Sequence, residues 1–192
     1  MTYVDVVNYP REPLSAGRAY DRINRFFGLL GQVGGADQLD DGEASSTSHM
    51  DPREELLRMV QDEIFGVSMH LPKGFAVGLS RQFANLMDAD AWEDNDELIS
   101  PDALNAFVQT ILSTKTKRRP GIGTNGRGSI TCSWTSGENR LTVECMPNGR
   151  LTLVLCRRRE EGDVERAAFE AVRPDRVLAL LSPFDPEVWF DG

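Results

Sequence analysis

Histidine is nearly absent from this chain: two among 192 residues, His49 and His70. Neither belongs to an H-x-E or H-E-x-x-H pattern, and no C-x-x-C accompanies them, so the usual zinc chemistries have no ligand set. Cysteine is sparse too. Three cysteines, an odd number without paired spacing, argue against a disulfide framework. No apolar run approaches the roughly 18 residues of a membrane span. The opening "MTYVDVVNYPREPL" has no basic region followed by an apolar one and is not read as a secretory signal. These absences imply a bacterial-type cytoplasm, no membrane partner, no cofactor and no metal.

What is present is a foldable chain with segregated charge. At 40% hydrophobic residues it has enough apolar material for a core. The net charge of -9 divides into -3 over residues 1–50, -8 over 51–112, +8 over 113–159 and -6 over 160–192. A basic middle between acidic flanks points to complementation, either within the chain or with a partner.

Three regions follow. Residues 1–33 hold the β-prone "YVDVV" and a helix candidate, "PLSAGRAYDRINRFFGLLG". There Ala16, Ala19, Ile23, Phe26, Phe27 and Leu30 recur at helical spacing, away from Arg18, Arg22 and Arg25. This is a helical appendage or a tethered segment. Residues 34–50 are rich in Gly, Ser and Asp and read as a linker. Its "SHM" at 48–50 also has the look of a cloning junction; an ordinary loop is the alternative. Residues 51–192 form the main domain.

In that domain the period is helical at first. Asp51, Pro52, Glu54 and Gly66 bracket a helix with the stripe Leu56, Leu57, Val60 and Ile64. A second helix covers Phe75 to Met87, and the acidic stretch "DADAWEDNDE" follows. Ser100 and Pro101 start a third, running to about Leu112 and burying Ala103, Leu104, Phe107, Val108 and Ile111. After the basic, glycine-rich "TKTKRRPGIGTNGRG" the period becomes two.

Ile130, Cys132 and Trp134 alternate with polar residues, as do Leu141, Val143 and Cys145, and Leu151, Leu153 and Leu155 alternate with Thr152 and Val154. A three-residue loop, Pro147–Gly149, with a left-handed glycine pairs Cys145 with Leu151 and Val143 with Leu153. A tight turn at Gly137-Glu138 pairs Trp134 with Leu141 and Cys132 with Val143. Both turns select the register that brings the apolar faces together. "DVERAAFEAV" is a fourth strand, "PDRVLALLSPF" a short helix, and the tail ends in Trp189 and Phe190. The expected fold is α+β: helices packed on one face of a three- to four-stranded antiparallel meander, with a short C-terminal helix.

Catalytic patterns are thin. Cys132 and Cys145 fall on the apolar face, where a thiol is a small hydrophobe. Cys156, beside Arg157, is the better placed nucleophile, because cations favour the thiolate. "GIGTNGRG" leads into a strand and supplies no G-K-[ST], so it reads as a connection and not a phosphate loop. Asp88, Asp90 and Asp94 lack the glycine and distal glutamate of a calcium loop. No catalytic residue is assigned.

The run from Arg119 to Leu155 resembles a motif of small prokaryotic proteins: P-x-I, a glycine-rich step, G-x-I-x-x-x-W, L-x-V-E and N-G. The matching residues are Pro120, Ile122, Gly128, Ile130, Trp134, Leu141, Val143, Glu144, Asn148 and Gly149, in about a fifth of the chain. The glycine-rich step lacks the aspartate common in that pattern. The resemblance implies an accessory partner on a mobile or defence locus, including toxin–antitoxin-like pairs.

The resulting expectation is a non-enzymatic protein-binding module: an antitoxin, immunity or regulatory partner. The candidate partner-binding residues are Phe26, Phe27, Trp92, Arg118, Arg119, Arg157, Arg158 and Arg159. The alternative is a nucleic-acid-binding protein that uses the basic segment 115–159 to neutralise phosphates.

Overall fold

The computed structural model describes residues 51–88, 92, 96–159 and 163–191. The helix candidate with Phe26 and Phe27, the linker 34–50 and most of the acidic stretch lie outside these residues.

Three helices come first: α1 (Pro52–Gly66), α2 (Phe75–Leu86) and α3 (Pro101–Thr114). Their stripes are the expected ones. Leu56, Val60 and Ile64 are buried on α1, and Ala103, Leu104, Phe107, Val108 and Ile111 on α3. Ser100 caps α3, its Oγ accepting from Ala103 N at 3.1 Å, and Pro101 occupies the first turn. Phe83 of α2 meets Phe107 of α3 edge to face, 5.5 Å between centroids. Two buried threonines on α3 satisfy their hydroxyls inside the helix, Thr110 on Ala106 O at 2.7 Å and Thr114 on Thr110 O at 2.8 Å.

The sheet has five antiparallel strands in sequence order: β1 (Gly121–Gly123), β2 (Ile130–Ser136), β3 (Asn139–Cys145), β4 (Leu151–Arg158) and β5 (Val164–Val172). The strand expected in 163–172 is β5. The sheet is therefore wider than the three to four strands expected. The extra strand is Gly-Ile-Gly, in which two residues lack side chains and no alternation can register.

Both central hairpins have the expected register: Trp134 faces Leu141, Cys132 faces Val143, Cys145 faces Leu151 and Val143 faces Leu153. Gly137 takes φ 58° while Glu138 stays at negative φ, as a type II′ turn requires. Gly149 takes φ 72°.

Helix placement also differs from a simple row of helices on the sheet. α3 contacts β2 and β3, whereas α1 packs on α2 and α3. The rest of the cover comes from the C-terminal end. There a 3-10 turn, α4 (Val177–Leu181), a second 3-10 turn and α5 (Glu187–Phe190) replace the single short helix expected. α5 touches β2 and β3, and Trp189 and Phe190 are buried, Trp189 completely. Phe190 meets Trp134 edge to face at 5.2 Å. α3 and α5 thus cover β2 and β3, and α2 lies against β1. Among the described residues, no helix is long and apolar enough to cross a membrane.

Candidate functional site

The basic segment is the first place to look for a site. Among the described residues, four of its ten cations meet carboxylates inside the chain. Lys117 Nζ pairs with Asp191 at 3.1 Å, and Arg157 reaches Asp185 at 2.5 Å. Arg158 of β4 pairs with Glu138 in the turn between β2 and β3, and Arg159 with Glu165 of β5 at 2.7 Å. The Glu138 carboxylate raises the Arg158 pKa above its ordinary value, by a hydrogen bond first and by charge second. Such exposed pairs contribute little to stability. Their larger effect is to satisfy charge that a phosphate would otherwise meet.

Arg118 is placed by its peptide. Its carbonyl accepts from Trp134 Nε1 at 3.0 Å and from Thr116 Oγ1 at 2.6 Å, while its N–H donates to Phe190 O at 3.0 Å. Lys117 N donates to the same Phe190 carbonyl at 2.8 Å. The connection from α3 to β1, the indole of β2 and the C-terminal helix are tied at one point. Arg119 is exposed, and its guanidinium lies over Gly78 of α2.

Trp92 is half-buried against the core. Its Nε1 donates to Leu86 O at 2.7 Å, and Arg53 stands over its ring at 5.7 Å. The indole thus ties the acidic stretch to the end of α2.

The glycine-rich step folds back on itself. Thr124 Oγ1 donates to Ser129 O at 3.0 Å, Gly126 N donates to Thr124 Oγ1 at 3.3 Å, and Arg127 N donates to Asn125 Oδ1 at 2.9 Å. Glu144 Oε1 accepts from Asn125 Nδ2 at 2.8 Å and from Ser129 Oγ at 3.1 Å. The segment before α3 runs beside this loop: Glu97 N donates to Gly126 O and Ser100 N to Gly128 O, both at 2.9 Å. The N–H groups of Gly126 and Arg127 are spoken for, which is the arrangement of a connection and not of a phosphate cradle.

The outer face of the sheet is different. Thr131, Ser133, Thr142, Thr152 and Cys156 are half-exposed, and Thr135, Arg140, Val154, Arg158, Val164, Arg166 and Ala168 are exposed. The register places Arg140, Cys156 and Arg166 side by side on three successive strands. Arg140 Nε donates to Ser133 Oγ at 3.2 Å. Val154 and Val164, 51% and 52% exposed, lie on the same face. Sequence reading fixed on Arg157–Arg159, held Arg140 only as part of the basic segment, and missed Arg166. The missing signal was the β4–β5 register, which aligns Cys156 with Arg166.

Of the three thiols, Cys132 and Cys145 are buried and Cys156 is half-exposed. Burial, and then the neighbouring Cys145, push the Cys132 thiol well above its ordinary pKa. That thiol is a poor nucleophile at neutral pH. On the helical side a cleft of about 660 Å³ opens among Met69, His70, Leu71, Ile111, Leu112 and Lys115. Among the described residues, no group of three or more His, Cys, Asp or Glu could hold a metal ion.

Compared with protein-family models, with curated proteins and with solved structures, the chain matches none.

Proposed function

We propose that this chain is a non-catalytic protein-binding module, an antitoxin, immunity or regulatory partner in a prokaryotic cell. The observation that supports it is the outer sheet face. It carries Val154 and Val164 half in water and sets Arg140 and Arg166 on either side of Cys156. β-branched side chains rimmed by arginine suit a protein surface that brings apolar groups and carboxylates. Trp92, Arg118 and Arg119 act in this reading as scaffolding, since an indole hydrogen bond, a shared carbonyl and a helix contact already engage them.

The test is affinity purification of the full chain from its native host. A stoichiometric partner that Val154→Arg loses, with the fold intact by circular dichroism, is the expected result. A partner retained equally by Val154→Arg, or no partner at all, overturns the reading.

Nucleic-acid binding through residues 115–159 has less support. Lys117, Arg157, Arg158 and Arg159 already meet carboxylates, and among the described residues the outer face offers no aromatic ring on which a base could stack. A salt-dependent mobility shift with RNA or DNA, lost on neutralising Arg157, Arg158 and Arg159, would favour it instead.

A further inference from the structure

The last strand of the meander has an open side. β5 pairs with β4, and among the described strands it has no other neighbour. An edge of this kind presents unpaired N–H and C=O groups, and a long one invites pairing with another chain. β5 spans nine residues, Val164–Val172.

Its sequence, "VERAAFEAV", has a particular symmetry. Arg166, Ala168 and Glu170 alternate outward, while Ala167 and Phe169 turn to the core side, where Phe169 meets Phe184 edge to face at 6.2 Å. Arg166 and Glu170 are both exposed, and neither has an ion-pair partner among the described residues. They cannot pair with each other, because four residues along one strand separate them by about 13 Å.

We infer that β5 is a homotypic edge, pairing antiparallel with β5 of a second copy of this chain about a two-fold axis at Ala168. In that register Arg166 of each copy faces Glu170 of the other, so two cross-strand ion pairs form on the outer face. Ala168 faces its own counterpart, and the small side chain lets the strands close at the axis. On the core side Ala167 faces Phe169, a small residue against a large one. Phe169 and Phe184, both half-buried in the single chain, gain apolar cover.

Other registers are worse. Keeping both core faces on one side requires the paired residues to have the same parity. Centring on Arg166 or on Glu170 sets like charges face to face. Centring on Ala167 puts Glu165 against Phe169, and centring on Phe169 opposes two large rings and leaves both charges unpaired. The bulge at Ala171, which takes φ 54° where Leu151 and Leu153 pair with Val172 and Phe169, bends the strand just past Glu170 and ends the pairing there. The axis at Ala168 therefore uses the straight part of β5 and yields one sheet running through both copies, an isologous contact that closes after two chains.

The decisive experiment is a charge swap read by sedimentation equilibrium on the full chain. Wild type is expected to be dimeric at tens of micromolar. Arg166→Glu and Glu170→Arg should each weaken association about tenfold or more, since each puts two like-charged pairs across the axis. The double variant R166E/E170R should return to within about threefold of wild type. A monomeric wild type, single reversals without effect, or a double variant that stays weak would each overturn the inference. Pairing of the β5 edge with residues 1–50 of its own chain also gives the monomer. A second measurement does not depend on ion pairs. In a Cys156→Ser background, Ala168→Cys should form an intermolecular disulfide on mild oxidation, because facing residues at such an axis lie about 4.5–5.5 Å apart at Cα, within disulfide range. Thr135→Cys on β2 should not. Absence of the Ala168→Cys cross-link in a folded sample would equally reject the pairing.

Discussion

The guanidinium of Arg119 rests on the α2 backbone at Gly78, so close that a Cβ added there would fall 1.4 Å from Arg119 Nη1. Gly78 is the position that lets the connection before β1 lean on the helix. Alanine there should gain up to about 1 kcal/mol of helix propensity but must push the guanidinium aside. The two effects separate in a double-mutant cycle. Gly78→Ala should stabilise the Arg119→Ala background by close to the full propensity gain, and wild type by less. Equal gains by urea unfolding would show that the two residues do not touch.

Gly128 contrasts with Gly78, because its neighbour cannot swing away. It takes φ 73°, and a Cβ would meet Leu98 O at 3.2 Å. Gly128→Ala should therefore cost about 1–2 kcal/mol from left-handed backbone alone, and more as the segment before α3 is displaced. The midpoint of denaturant unfolding measures it; an unchanged midpoint would contradict the tight fit.

The core closes around Phe190. Its ring meets Trp134 and its carbonyl holds Lys117 and Arg118. Phe190→Ala should lower stability by about 3–5 kcal/mol, as large-to-small changes at buried aromatics do. Lys117→Ala should cost at most about 1 kcal/mol, since only its exposed pair with Asp191 is lost. Thermal melts of the two variants rank these costs, and equal losses would mean that Phe190 is not a core residue.

Cys132 sets an alkaline limit. Its thiol is held above the ordinary value in the folded state, first by burial and then by Cys145. The folded chain keeps that proton longer than the unfolded chain does. The contribution is therefore complete below the unfolded thiol pKa of about 8.5 and is lost as pH climbs toward the raised value. Stability should be level through neutral pH and decline above about pH 8.5. Cys132→Ala should flatten part of that decline while lowering stability throughout. An identical alkaline slope in the variant would assign the decline to other groups.

The hairpins were legible because two turns and two alternating patterns had to agree, and only one register satisfies both. β1 was not, since Gly121 and Gly123 carry no side chain to alternate. The division of the C-terminal end into short helical turns was equally hidden: Pro174, Pro183 and Pro186 interrupt the pattern, and five residues are too few for a helical period. Charge was legible as a segment but not as pairs. Arg157 meets Asp185 from 28 positions away, and Lys117 meets Asp191 from 74. The sequence placed Arg157, Arg158 and Arg159 together as one patch. The pleat splits them, with Arg158 outward and Arg157 toward the C-terminal helices.

Each strand of this sheet lies beside the strand that precedes it in the chain. Closing every loop then spans few residues, and loop-closure entropy stays small at each step. The hairpins can add one after another like the treads of a ladder, while α1, α2 and α3 lie upstream of them. A sheet wired this way keeps its strand pairings local, which lowers the part of the contact order that slows β-containing folds.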